Sequence, residues 1–553
     1  MKPTRGLVYF ALAVAVALAM GLSLRNGFVY DDVPAIATNP RVTDPAQWHL
    51  IPRSPYWLGT LWRPLTVALF AAQWFVGHGA PWFFHLVSLL GYLAVGVLLF
   101  HLIERVGSSP GIADGAAVAP GVPPTASISR FAAAAATVLF LVHPVHVEVV
   151  ANGVGQAEIW VALALLGGTL VYLRARRNGT ERRSLPLLLL IVVLGITAKE
   201  QGFIAPLLLA GAEWLLLSDR QEPLRARIRL LLPVVALVVL MFVVRATLLN
   251  SAAGETPAEA LRGLDPPGRF VTLLAVIPEW ARLAVWPLHL QADYGPPGIP
   301  VGGPMSVRHW IGLVLLIGCL ALFVRCRKRA PGVAFGLLWT AIALAPVSNL
   351  LTPTGIVMAE RVLFVPTIGL AIAAAGVAWQ GERRSARSVM VASLAVAWGV
   401  LLTVRSATRV PTWSTQERFY SDMVVDAPRA YRGWLVAAKY WDDAHDQPRA
   451  IAELERARVL WPHDYGVFER LGQIYRQGGR CDMAIPEFKA GLQQDSLATS
   501  LRAKLVECLI VARDWDGADK TASDGVALGQ QEFESMLTRV RRLRAASDSA
   551  GGH

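Results

Sequence analysis

Charge is scarce in this sequence: 17% of its 553 residues are Asp, Glu, Lys or Arg, and cysteine occurs only four times. An ordinary soluble domain carries nearer ~25% charged residues, so a single soluble globule is excluded. Four scattered cysteines exclude a disulfide-dense scaffold, and the absence of any Cys-x-x-Cys pair removes zinc-ribbon and thiol-redox readings. Cys481 and Cys508 could pair, which spacing alone does not decide. Length alone would suggest three or four domains at ~150 residues each, yet the charged residues fall into two zones.

Hydrophobic residues make up 54% of the chain. Lys and Arg outnumber Asp and Glu by 14 in residues 1–410 and fall 2 short of them in 411–553. The net charge of +12 could suggest a nucleic-acid partner. Its excess, however, sits between apolar runs, where basic residues mark cytoplasmic loops, and no nucleic-acid partner is expected.

Apolar runs of about 17–25 residues can cross a hydrocarbon core. The first, Leu7 to Leu24, follows Lys2 and Arg5 and lacks a small-x-small site before Arg25, so it reads as a retained anchor with its N-terminus inside. Ten more follow, at 82–103, 131–147, 156–173, 185–198, 201–217, 229–249, 308–324, 332–350, 362–380 and 389–404. The run Val271 to Leu290 carries Glu279 and Arg282 near its centre, at ~2.5–3.5 kcal/mol each on insertion scales, and reads as an interfacial or re-entrant helix. Eleven spans then place every basic cluster inside: Arg174 to Arg183, Arg220 to Arg229, Arg325 to Arg329, and Arg383 to Arg387. The chain past Arg405 emerges on the extracytoplasmic side. On that side also fall Tyr30-Asp31-Asp32, His143-Pro-Val-His146-Val-Glu148, Lys199-Glu200-Gln201-Gly202, Ala292-Asp293-Tyr294 and Ala359-Glu360-Arg361. Five loops converging on one membrane surface suggest one site.

Beyond Pro411 a helical period replaces the apolar runs. Trp434, Phe468 and Arg502 recur at a spacing of 34, as do Ala450, Ala484 and Ala518. Phe468, Leu471-Gly472, Tyr475, Ala484 and Phe488 occupy tetratricopeptide positions, with Trp441, Ala457 and Pro462 matching in the repeat before. Small residues at helix crossings and large ones between them build a short α-solenoid. Its concave face suits a peptide, and a helical stalk without a ligand is the plainer alternative.

The motifs admit chemistry and structure side by side. Asp31 and Asp32 follow the first span in a Pro- and Asn-rich loop, where one of two adjacent carboxylates could be poised as a base, and Asp32 could also cap a turn beginning at Val33-Pro34. His143, His146 and Glu148 resemble metal ligands, but Pro144 interrupts the segment and the order is not His-Glu-x-x-His. They read as polar groups lining a pocket, or as an interfacial turn. Lys199 and Arg361, each beside a Glu (Glu200, Glu360), could hold a phosphate or snorkel to the interface. Trp62-Arg63-Pro64, Trp82 and Trp286 fit an interfacial aromatic belt.

The acidic pair after span one, then HPVHVE, AKEQG, LQADYG and MAERVLFVP, and finally tetratricopeptide repeats, resembles the transmembrane and tetratricopeptide-containing (TMTC) family over nearly the whole chain. The plan also looks like the wider protein O-mannosyltransferase group of C-type (GT-C) glycosyltransferases. The resemblance implies an all-α chain: a polytopic membrane domain over residues 1–410 and a tetratricopeptide domain over 411–553. It implies transfer of a sugar, commonly mannose, from a polyprenyl-phosphate donor to a Ser or Thr hydroxyl of an acceptor protein, and no metal or other cofactor is required if Lys199 and Arg361 neutralise the leaving phosphate. By position Asp31 would be the base with Asp32 beside it, and Lys199 and Arg361 would meet the donor phosphate. Arg63, His143, His146, Glu148, Glu200, Asp293, Tyr294 and Glu360 would line the substrate site. The chain would lie in a cell membrane, the inner one in a bacterium, with the repeats outside and free to receive a peptide. Two departures stand out: few repeats, and Gln156 where a basic residue is expected. A non-catalytic scaffold recruiting a partner through its repeats is the other class of function.

Overall fold

The computed structural model describes residues 3–56, 61–107, 130–217, 224–250, 257–380 and 386–550. Lys2, Arg220, Arg383 and Arg384 of the expected cytoplasmic clusters lie outside them. Among the described residues the secondary structure is helical, apart from one isolated bridge between Pro297 and Ala430. The chain forms two compact units, Met1–Ala292 with Val301–Phe419, and Asp293–Pro300 with Tyr420–His553.

The first unit is built from α1 (Arg5–Met20), α2 (Pro64–Val76), α3 (Pro81–Gly107), α4 (Arg130–Leu141), α5 (Gln156–Asn178), α6 (Glu181–Ala198), α7 (Ala205–Leu216), α8 (Leu224–Leu249), α9 (Pro266–Val285), α10 (Val307–Arg329), α11 (Pro331–Leu344), α12 (Phe364–Gln380) and α13 (Ala386–Arg409). Each of the eleven expected runs overlaps a helix, but 131–147 is broken at Val142-His143 and 332–350 runs past the helical end at Val347. Among the described residues six segments can cross a membrane by length and apolarity, and a seventh if α4 and the turn Pro144–Ala151, bent by 53°, count together. The chain is a membrane protein. Apolar side chains on α8 and α10, such as Leu240 and Val314, are 57% and 68% exposed, as lipid contact favours. Val271 to Leu290 becomes α9, whose two inner charges neutralise each other: Arg282 Nε donates to Glu279 at 2.9 Å, and Arg308 Nη2 adds a second pairing at 3.1 Å.

Two features bring the helices close. A Cβ at Gly336 of α11 would run into the carbonyl of Gly369 on α12, so only glycine permits this approach. Trp339 Nε1 then donates to the Val365 carbonyl at 3.0 Å, satisfying an indole buried between them.

The second unit consists of helix pairs Tyr431–Asp443 with Gln447–Leu460, Tyr465–Gln477 with Cys481–Gln494, and Thr499–Val511 with Trp515–Ala527, closed by Glu532–Ala550. Ala450, Ala484 and Ala518 are fully buried, each at a corresponding place in its pair. Cys481 and Cys508 are joined in a disulfide between the second and third pairs. The short segment 293–300 packs on the first pair, where Tyr431 N–H donates to the Pro296 carbonyl at 3.2 Å and Arg432 Nη1 meets Asp293 Oδ2 at 3.2 Å.

Candidate active site

The loop leaving α1 turns sharply at Tyr30, a non-glycine residue in the left-handed region at φ 57°, with its ring against Phe419. That turn presents Asp31 and Asp32 in succession. The Asp32 carboxylate does not cap the turn it begins. It reaches across to the entrance of α5, where Gly153 N–H donates to Oδ2 at 3.0 Å and Val154 N–H to Oδ1 at 2.7 Å. A Cβ on Gly153 would sit 3.2 Å from Asp32 Oδ1 and 3.0 Å from Ile36 Cδ1, so the approach is tight. Asp32 is 1% exposed, and burial lifts its pKa to about 7 despite the two amide donors, with neighbouring Asp31 adding to the rise.

Asp31 lies on the open side of the same turn. Its Oδ2 is 3.6 Å from Arg361 Nη1. Arg361 opens the turn into α12 and is held by Glu148, whose Oε1 accepts from Nη1 at 2.6 Å and whose Oε2 accepts from the Arg361 backbone N–H at 2.9 Å. Glu148 is 2% exposed. One buried carboxylate therefore fixes both backbone and guanidinium of the Arg361 that faces Asp31.

The other two cations follow the same rule. Lys199, where α6 ends, donates to Glu158 in the first turn of α5. Burial pulls the Lys199 ammonium below its ordinary pKa, and Glu158 draws it part of the way back. Arg63, which precedes α2, meets Glu200 Oε2 at 2.9 Å through both Nε and Nη2, while the Trp62 N–H donates to Oε1 at 3.2 Å. Burial alone would raise the Glu200 pKa, but Arg63 and the backbone hold it below the ordinary value. The three pairs form one patch. Lys199 feels the charges of Arg63 and Arg361, and Glu148 that of Asp31. Tyr56, buried against Arg63 with 5.0 Å from guanidinium to ring centroid, feels Asp31, Asp32, Arg63 and Glu200 together. Burial holds its phenol protonated.

Asp31, Asp32, Arg63, Glu148, Lys199, Glu200 and Arg361 are thus gathered on one side of the first unit. The remaining expected residues have other partners. His146 is fully buried between the Tyr92 hydroxyl and Thr367 Oγ1, each at 2.8 Å. His143 turns its Nε2 to the Ala284 carbonyl at 3.2 Å. Glu360 is 2% exposed and accepts from the Gln291 backbone N–H. Asp293 and Tyr294 belong to the second unit, where Asp293 pairs with Arg432. Gln156, the departure from the family pattern, is fully buried in a reciprocal amide pair with Gln73 at 2.8 Å and a bond to the Phe84 carbonyl at 3.0 Å. It packs α5 against α2 and α3. Among the described residues no group of three His, Cys, Asp or Glu side chains is gathered so as to hold a metal ion. Sequence reasoning passed over Glu158 and Tyr56. Glu158 had a signal, a lone charge entering an apolar run, which usually marks a partner nearby.

A helical membrane protein with a buried, charge-paired cluster around an acidic loop is the class that these features define. No family model matches the chain. It is TMTC-like, being 26% identical over 503 residues to human "Protein O-mannosyl-transferase TMTC3", an alignment covering 83% of this chain and 52% of that protein. The Drosophila melanogaster protein Tmtc3 is 26% identical over 569 residues, 91% and 61% of the two chains, and human TMTC1 24% identical over 544, 85% and 57%. The chain thus spans little more than half the length of these relatives. Among solved structures, the Archaeoglobus fulgidus oligosaccharyltransferase AglB, in complex with an inhibitory peptide and a dolichol-phosphate, is 14% identical over 73% of this chain and 56% of its own, with a TM-score of 0.40.

Proposed function

We propose that this chain is an integral-membrane glycosyltransferase of the C type, which moves a sugar, mannose, from a polyprenyl-phosphate donor to a Ser or Thr hydroxyl of a protein on the extracytoplasmic face. The relatives named above as O-mannosyl-transferases support the class. The observation that carries the chemistry is Asp31 Oδ2 at 3.6 Å from an Arg361 guanidinium that Glu148 already holds in place.

Transfer proceeds with inversion. Asp31 accepts the hydroxyl proton as the acceptor oxygen bonds to the anomeric carbon, and the bond from that carbon to the phosphate oxygen breaks. Arg361, Lys199 and Arg63 supply positive charge where the departing phosphate gathers its negative charge. Since each is fixed by a carboxylate before substrate arrives, little reorganisation is left for the reaction itself. Asp32 tethers the loop to the entrance of α5 and so positions Asp31.

Eleven spans with the N-terminus inside leave the acidic loop and the second unit outside. The Cys481–Cys508 disulfide agrees with that side, since such bonds persist in oxidising compartments. The second unit is read as a tetratricopeptide solenoid that receives the acceptor polypeptide.

Purified protein in lipid, given polyprenyl-phosphate mannose and a Ser/Thr peptide, tests this reading. Asp31→Asn should lower transfer by ~10²-fold or more while leaving folding intact. Retained activity sinks the assignment, and loss confined to Asp32→Asn moves the base by one residue. Binding without turnover in the unaltered protein would favour a scaffold.

A further inference from the structure

The motif Leu290 to Gly295 takes no part in the chemistry above, yet residues 292–296 are all buried although no helix holds them. The chain approaching it is tied down closely. The Leu288 carbonyl accepts from Arg405 Nε of α13 at 2.8 Å, and the His289 carbonyl from Arg282 Nη2 of α9 at 2.9 Å. The Gln291 N–H then donates to the Glu360 carboxylate. Gln291 is thereby fixed just before the chain leaves the first unit, between Ala292 and Asp293.

Glu360 and Arg361 are consecutive in a 3₁₀ turn, where successive side chains diverge by ~120°. Glu360, 2% exposed, turns to Gln291, and Arg361 to Glu148 and Asp31. The turn that carries the Arg361 guanidinium is therefore bolted from two sides. Glu148 accepts from the Arg361 N–H at 2.9 Å, and Glu360 binds the Gln291 backbone. A carboxylate bonded to a backbone amide is a strong tie, and burial raises the cost of releasing it.

Two residues beyond Gln291 the chain belongs to the second unit. Asp293, 4% exposed, meets Arg432 at 3.2 Å, the Pro296 carbonyl accepts from the Tyr431 N–H at 3.2 Å, and Pro297 bridges to Ala430. Tyr431 in turn stacks on Trp461, and its hydroxyl donates to Asp464, the cap of the first helix in the second pair. The segment thus ends on the joint between the first and second helix pairs. A link of two residues spans at most ~7 Å, which leaves little slack between the two anchors.

We propose that Gln291 to Pro296 is a strap, that Glu360 is a positioning residue for Arg361, and that the strap makes the placement of Arg361 depend on the joint between the first two helix pairs. Occupation of the repeats then sets the rate of transfer, besides receiving a polypeptide. The inference rests on the role of Arg361 proposed above and adds what controls it.

The test uses the full chain in nanodiscs and hydrogen exchange read by mass spectrometry, which needs no turnover. Arg432→Ala should speed exchange of the amides at 359–363 about 10-fold and leave Gly153 and Val154 unchanged, with Asp293→Asn as a second variant should the first fold poorly. Exchange unaltered at 359–363 in both, or raised throughout the first unit, overturns the strap. In transfer assays each variant should lower kcat about 10-fold and keep the KM for peptide within about 2-fold, since the repeats still receive it. A raised peptide KM at unchanged kcat is what a receiver alone would give, and overturns the proposal. Glu360→Ala should lower kcat alike, and Glu360→Gln, whose amide oxygen still accepts from the Gln291 N–H, should restore it to within about 3-fold. Equal losses in both would remove Glu360 from this role. Faster exchange at 359–363 in a protein that transfers no sugar would leave the strap standing and count against the transferase reading alone.

Discussion

Asp32→Asn separates the effect of a buried proton from that of a hydrogen bond. The Asp32 pKa rises from 3.8 to about 7 in the folded chain. Because the folded value exceeds the unfolded one, folding takes up a proton between about pH 4 and 7. The stability this gives is fully present below the unfolded pKa and is lost as pH rises through the folded one. Three pKa units at ~1.36 kcal/mol each make that loss on the order of 4 kcal/mol. Asn cannot ionise, so the variant lacks the slope. Its amide, however, turns an NH2 towards either Gly153 or Val154, whose N–H groups both donate to the native carboxylate, leaving one buried donor unmet at ~1–3 kcal/mol. The unaltered protein should therefore be the more stable near pH 4 and the variant at pH 8. Thermal midpoints of the solubilised proteins, followed by tryptophan fluorescence across that range, should cross. Parallel curves, or a wild type that gains on the variant as pH rises, would refute the reasoning.

Glu158→Ala should strand the Lys199 ammonium in a buried place and cost ~3–5 kcal/mol, and adding Lys199→Met should recover most of it; a double variant no more stable than the single in thermal unfolding would exclude the pairing. Gly153→Ala presses a methyl group against Asp32 and Ile36 and should lower stability by ~1–3 kcal/mol, and an unchanged midpoint would mean that the approach is looser than described. Removing the disulfide with Cys481→Ala and Cys508→Ala, which are 27 residues apart, should destabilise the second unit by ~3 kcal/mol, read as earlier proteolysis of its helix pairs. Indifference to a reductant would show that the pair contributes nothing.

Much of the fold was legible because the membrane simplifies the code. An apolar run of some twenty residues has few options beyond a helix, and each expected run overlaps one. The alanines at 34-residue spacing marked helix crossings, since only a small side chain fits there, and all three are buried. The site was legible in its charged members. Asp31, Lys199 and Arg361 stood out because a charge at the edge of an apolar run needs a reason. The histidines were ambiguous, for imidazole serves both as ligand and as buried hydrogen-bonding spacer, and His146 lies between Tyr92 and Thr367.

Sequence by itself determined that this chain enters a membrane, that its charge is segregated, and that an acidic pair follows its first helix. Those properties are local, set by runs of residues and their hydration. Tertiary structure decided the partners: Glu148 for Arg361, Glu158 for Lys199, Glu200 for Arg63, and the Gly153–Val154 amides for Asp32. The Glu148–Arg361 pair spans 213 positions and the Asp32 tether 121. No periodicity links positions so far apart, and only the cost of burying an unpaired charge brings them together.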